Sequence, residues 1–146
     1  MSIKHGGDLV TTTYTSYRLI SQDLTKSLER VAAKPDVKLE TEYYLSKIGD
    51  IKSIDDFMAD SRLYNYALKA HGLEDMAYAK AFIRKVLTEG VDDKEAFANK
   101  LADSRYGDLV KSLNFATHGA AATSFDRATK GVVDKYTRQT LEQDAG

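Results

Sequence analysis

One proline, Pro35, stands in a chain of 146 residues. Proline removes a backbone donor and its ring clashes with the preceding turn, so it is the strongest local break a helix can meet. Here that break occurs once, near the start. The alternation of apolar and polar residues that marks a half-buried strand is nearly missing. Only Leu9-Val10-Thr11-Thr12-Thr13 reads as extended, and with Gly6 and Gly7 before it the sequence suggests a flexible arm over residues 1–13. Residues 14–146 read as a single all-α domain, a compact bundle of about seven or eight helices. A chain of this length buries roughly 68–70% of its unfolded surface, enough for a core without staples.

Apolar residues three and four apart set the helices. The first, over about residues 14–33, carries Tyr17, Ile20, Leu24, Leu28 and Val31 on one stripe. A threonine of the 11–13 run is its cap, and Pro35 ends it by turning Lys34 from helical angles. A second helix starts from a cap at Asp36, with Val37, Thr41, Tyr44, Leu45 and Ile48 inward and Gly49 as its left-handed stop. Ser53-Ile54-Asp55-Asp56 resembles a capping box with Asp in place of Glu and leads a short helix over 54–59. A fourth, over 60–71, turns Leu63, Tyr64, Ala67 and Leu68 inward. Gly72, Leu73 and Leu68 then fit the Schellman pattern, in which the apolar residue after a left-handed glycine packs back on the helix. A fifth helix over 74–89 shows Met76, Ala79, Ile83, Val86 and Leu87, with Gly90 and Val91 repeating the device. Asp92 and Glu95 suit the start of a sixth helix anchored by Phe97 and Leu101. Asp103 or Ser104 starts a seventh with Tyr106, Leu109, Val110 and Leu113, and Asn114 is its left-handed cap. A last helix over 124–143 shows Phe125, Thr129, Val132, Tyr136 and Thr140, supported by the i,i+4 pairs Asp126–Lys130 and Asp134–Arg138 and weakened by Gly131.

Two stretches echo each other, about 53–73 and 93–115. Each runs from a Phe through Asp-Ser-Arg and a Tyr to an apolar pair, a Lys and a left-handed cap, which suggests a duplicated helical hairpin. At the corners, Asp60 and Asp103 read as helix caps. Arg62 and Arg105 then satisfy a carboxylate or the last carbonyls of a neighbouring helix. The sharper alternative makes the two guanidiniums, with Tyr64 and Tyr106, anchors for an anion or a partner in a pocket between the hairpins.

Chemistry is sparse. Lys plus Arg is 21 and Asp plus Glu is 22, a net charge of −1, which argues against a protein held to nucleic acid by broad electrostatics. The three histidines, His5, His71 and His118, lack metal-ligand spacing, and His71 suits a helix C-terminus as a cation. No nucleophile elbow, phosphate loop or dinucleotide fingerprint appears. No cofactor, metal or catalytic residue is expected. No apolar run is long enough for a membrane span and no secretory signal is visible, so the default location is the cytoplasm. The nine tyrosines suit surfaces half in a core and half at a protein interface. Tyr14, Tyr17 and Arg18 are candidate interaction residues on the first helix.

Thr13-Tyr14-Thr15-Ser16-Tyr17-Arg18-Leu19-Ile20, Glu42-Tyr43-Tyr44-Leu45, Ile51-Lys52-Ser53-Ile54-Asp55-Asp56-Phe57, the block from Asp60 to Tyr64, Ala70 to Lys80 and Phe82 to Gly90, Phe97 to Asp103, and Tyr136-Thr137-Arg138-Gln139-Thr140-Leu141-Glu142 resemble an alphaproteobacterial domain family of unknown function. Its members are encoded among the flagellar genes of rhizobia and relatives. The resemblance implies an all-helical fold and carries no catalytic or ligand residues. Together these readings lead to a non-enzymatic interaction or assembly protein associated with flagellar function, by cytoplasmic or exported routes. Its partners would be flagellar components or further copies of itself, and a small-molecule binder or enzyme is the alternative.

Overall fold

The structure, a computed structural model, describes the backbone of residues 2–145 and the side chains of residues 15, 16 and 18–144. Among the described residues every regular element is helical. The helices are α1 (Ser2–Ala32), α2 (Pro35–Lys47), α3 (Ile54–Ala59), α4 (Ser61–Ala70), α5 (Lys80–Glu89), α6 (Phe97–Lys100), α7 (Arg105–Ser112), α8 (Phe115–His118) and α9 (Lys130–Ala145). Two of them, α6 and α8, are single turns of 4 residues, so the rest match the expected bundle.

The centre of the molecule is α4, packed on α2, α3 and α9, while α5 packs on α3, α6, α7 and α8. The reason lies in the sequence of α4: Leu63, Tyr64, Tyr66, Ala67, Leu68 and Ala70 are all buried, leaving only a narrow polar edge. Ile83, Val86 and Leu87 of α5 and Leu109, Val110 and Leu113 at α7 complete the same core. Each large apolar side chain removed from water in this way contributes about 1.5–3 kcal/mol.

The end of α4 follows the sequence closely. Gly72 has φ +71°, Leu73 N–H donates to Leu68 C=O at 2.8 Å, and Gly72 N–H donates to Lys69 C=O at 3.0 Å, the two bonds of a Schellman motif. At the start of α3 the Ser53 hydroxyl accepts from Asp56 N–H at 3.1 Å. The Asp56 carboxylate accepts from Lys52 N–H at 3.0 Å, one residue before the Ser53 N–H that a reciprocal capping box would use.

Other expectations are corrected. The backbone of residues 2–13 continues α1, so the Leu9–Thr13 run, read as extended, is helical; no proline interrupts it, and extending an existing helix needs no new nucleus. The threonine run therefore lies inside the helix rather than at its cap. α2 begins at Pro35, with Asp36 in its first turn and no side-chain cap, since proline is pre-organised for the first helical position. Leu45 is exposed, because the neighbouring Tyr44 takes the inward place. Gly49 sits in a 3-10 turn, Ile48–Asp50, without positive φ. The fifth helix is split: Glu74–Met76 form a 3-10 turn and α5 starts only at Lys80. Asp92 caps nothing; its carboxylate accepts from the Thr117 hydroxyl at 2.7 Å. Asn114 keeps negative φ and instead caps α8, accepting from Thr117 N–H at 3.1 Å. Glycine alone takes positive φ among the described residues. α9 starts at Lys130, six residues later than expected: Gly119–Ser124 is 3-10, and turns closed by Ala128 N–H to Phe125 C=O and Thr129 N–H to Asp126 C=O follow it. This leaves Asp126 before the helix and Gly131 near its first turn, where the glycine matters less.

Candidate functional site

The two Asp-Ser-Arg corners are anchored differently. Asp60 caps α4, accepting from Leu63 N–H at 3.0 Å, and also accepts from the Tyr43 hydroxyl at 2.8 Å. Arg62 grips Glu40 through two parallel bonds, Nε to Oε2 at 2.9 Å and Nη2 to Oε1 at 2.8 Å, while its guanidinium lies 4.1 Å from the centroid of the Tyr43 ring. The Asp60 bond and burial hold the Tyr43 hydroxyl above its usual range. Asp103 accepts from Arg105 N–H at 3.0 Å and from the same residue's guanidinium, which holds its carboxyl below the usual range. Arg105 Nη1 also donates to Gly72 C=O, just past the end of α4.

Arg62 and the Arg105 contact therefore lie at opposite ends of α4. At 1.5 Å per residue, the span from Arg62 to Gly72 is about 15 Å. Each guanidinium is engaged by its own carboxylate. Tyr64 and Tyr106 are buried, as the inward stripes of their helices require, and so are not open anchors of the alternative pocket. Tyr64 spends its hydroxyl on Ala77 C=O at 2.9 Å. The echo between the two stretches survives in burial (Tyr64 with Tyr106, Ala67-Leu68 with Leu109-Val110). It fails in the caps, where Asp60 bonds the third helical residue and Asp103 its own Arg.

His71 is the second correction. It stands at the end of α4 as expected, but as a buried group between α4 and α7 and not as a cation: Nδ1 lies 2.7 Å from Ala67 C=O and Nε2 lies 2.7 Å from Ser112 Oγ. A carbonyl only accepts, so Nδ1 carries the proton. In the neutral ring Nε2 then accepts from the Ser112 hydroxyl. Burial pushes the His71 pKa down, with Lys135 nearby acting in the same direction. Sequence reasoning missed this link, because Ser112 is 41 residues away. The expected consequence has a definite sign. Above the ordinary value near 6.5 both states are neutral; as pH falls through it, the unfolded chain takes a proton that the folded one resists, so stability falls. Urea midpoints measured at pH 7.5 and 5.5 should drop for the parent chain, and drop less for His71→Gln.

The third feature is α1. Val31 is buried and Leu28 half-buried, but Leu24 is 40% and Ile20 67% exposed, with Leu19 beside the stripe also exposed. The stripe read from the sequence is thus core at its C-terminal end and open surface toward the middle of the helix. Next to it runs a groove of about 420 Å³ between α1 and α9, lined by Leu28, Glu29, Ala32, Val133, Asp134, Thr137 and Arg138. Arg18 is exposed on the same helix. Tyr14 and Tyr17 lie outside the described side chains.

Among the described residues no three metal-capable side chains cluster, and no helix is long and apolar enough to cross a membrane. Fold and surface together define a small all-α bundle with one helix left partly uncovered. The chain belongs to a family of proteins of unknown function, DUF1217, whose pattern matches residues 70–146, just over half of it. It is similar to protein AGR_C_984 of the alphaproteobacterium Agrobacterium tumefaciens, whose X-ray crystal structure it matches with a TM-score of 0.85 at 74% identity, over 94% of this chain and 60% of that one. No curated protein matches the sequence.

Proposed function

We propose that the chain is a non-enzymatic interaction protein that presents the exposed stripe of α1 to a partner helix and serves flagellar assembly or function. The observation that carries the docking half is Ile20 and Leu24 exposed four residues apart on one face of α1, continuous with the half-buried Leu28. An amphipathic helix with anchors three and four apart is a recurrent mode of protein recognition. Aliphatic side chains left in water at 40–67% exposure gain when a partner covers them. The flagellar half is supported by the resemblance of Thr13–Ile20 and the central block to proteins encoded among flagellar genes.

The test is affinity capture from motile cells with the parent chain and with Ile20→Glu/Leu24→Glu. Both positions are solvent-facing, so the double variant should keep its melting temperature within about 1–2 °C while losing the partners the parent captures. Flagellar proteins among those partners, together with reduced motility on deletion, support the reading. Capture unchanged by the charges, or normal motility and no flagellar protein retained, overturns it.

A further inference from the structure

A second surface stands apart from α1. A cleft of about 230 Å³ between α7 and the start of α9 is lined by Asp108, Lys111, Ser112, Arg127, Gly131 and Lys135. Three of its six lining residues are cations and one is an acid, in a chain whose net charge is −1. None of the three cations has a carboxylate partner among the ion pairs of the described residues. Arg127 is steadied instead by His118 Nε2 at 2.9 Å and by the face of Phe125 at 4.7 Å, contacts that position it without neutralising it. Gly131 contributes no side chain to the wall. At its base Ser112 is fixed by the buried ring of His71.

We propose that this cleft binds a small polyvalent oxyanion, a phosphoryl or sulfuryl group, between Lys111, Arg127 and Lys135, with the Ser112 hydroxyl beneath it. The volume lies below the roughly 300–1,000 Å³ of sites for drug-sized ligands and suits a single tetrahedral anion. Cation-to-oxyanion hydrogen bonds are the strong class, and Lys111, Arg127 and Lys135 stand around this cleft. The His71–Ser112 pair adds a proton dependence. With His71 neutral, Ser112 gives its hydrogen to Nε2 and shows only lone pairs to the cleft. With His71 protonated, Nε2–H donates to Oγ and the hydroxyl hydrogen is released toward the anion, while Nδ1–H keeps its bond to Ala67 C=O. The charged groups that bear on His71 are Lys135 from α9, which opposes the proton, and Asp108 from α7, which favours it. An anion seated on Lys135 cancels the opposition. Binding therefore tightens as the pH falls.

The experiment is a sulfate titration of the full ¹⁵N-labelled chain followed by amide shifts, at pH 7.5 and 6.0 with chloride holding the ionic strength. Saturable shifts centred on Ser112 and Gly131, tighter at the lower pH, are expected. Lys111→Gln/Lys135→Gln should weaken them roughly tenfold or more, and Lys80→Gln, on another face, should not. Ser112→Ala should keep binding and lose the extra pH dependence. Inorganic phosphate and O-phosphoserine tell a free anion from a phosphoryl group carried on a larger molecule, by which binds tighter; either ordering supports the cleft. Shifts that do not saturate, spread over surface lysines in general, or persist undiminished in an otherwise native spectrum of the double variant, overturn the proposal. The α1 variants leave this cleft untouched, so the two readings fail separately.

Discussion

Gly90→Ala is expected to destabilise the fold by roughly 2–6 kcal/mol, the sum of two independent costs. The first is backbone. Gly90 has φ +70° and ψ −150°, a region that is essentially closed to residues with a Cβ and costs of order 1–3 kcal/mol when one is forced there. The second is contact. A Cβ built on Gly90 would stand 2.8 Å from the Cβ of Ala116, and overpacking of this kind costs about 1–3 kcal/mol. Ala116 cannot simply drift away. Its neighbour Phe115 is buried in the core, and Thr117 is held from both sides, by Asn114 through its N–H and by Asp92 through its hydroxyl. Urea denaturation of Gly90→Ala, Ala116→Gly and the double variant separates the terms. Ala116→Gly should recover the contact part and leave the backbone part. A Gly90→Ala protein of parental stability would mean that this corner adopts another conformation.

The same glycine shows where the sequence stops being legible. Gly72-Leu73 and Gly90-Val91 look alike, a glycine and an apolar residue after a helix. Only the first closes a Schellman motif, because Leu73 can turn back onto Leu68. At Gly90 the chain leaves with ψ −150°, a direction set by α8, which lies some 25 residues further on. Signals that act within one turn were readable: the Ser53 and Asp60 caps, the inward faces of α4, α5 and α7, and the expectation that Arg62 and Arg105 satisfy carboxylates and carbonyls. Signals that need a distant partner were not. Asp92 has the composition of a cap and serves Thr117; His71 has the position of a helix-end cation and is buried against Ser112. The α1 stripe is periodic along its length, and periodicity alone does not say which part of it the globule covers. Of the candidate surfaces, the stripe was visible as residues, whereas Lys111, Arg127 and Lys135 are scattered in sequence and are brought to one cleft only by α7 meeting α9.

Tyr66→Ala is expected to lower stability by about 3–5 kcal/mol, the range for removing a large aromatic side chain from a core. Nothing in the local sequence marks this position: it is one tyrosine among nine, and the inward residues first read from that helix were its neighbours Leu63, Tyr64, Ala67 and Leu68. Its importance comes from assembly. The Tyr66 ring is sandwiched, with the centroid of Tyr44 at 4.6 Å on one side and that of Tyr136 at 3.9 Å on the other, so α2, α4 and α9 meet through three stacked rings. Lys69 lies 5.0 Å from the centroid of Tyr136, and Tyr44, fully buried, donates to Ala128 C=O at 2.6 Å. Burial holds the hydroxyls of Tyr44 and Tyr66 well above their usual range, so both stay protonated through neutral pH and remain able to donate. Deleting the middle ring removes two aromatic pairs, each worth about 0.5–1.5 kcal/mol beyond burial, and opens a gap that the outer rings close only by moving their helices. Tyr66→Phe keeps the stack and loses just the 2.8 Å bond to Thr41, which should cost about 0.5–1.5 kcal/mol. By thermal unfolding the alanine variant should melt roughly 6–20 °C lower and the phenylalanine variant only a few degrees lower. Similar losses for the two would place the stabilisation in the hydroxyl instead of the stack. A small loss for both would mean that α9 is held against the bundle by other contacts, such as Val132.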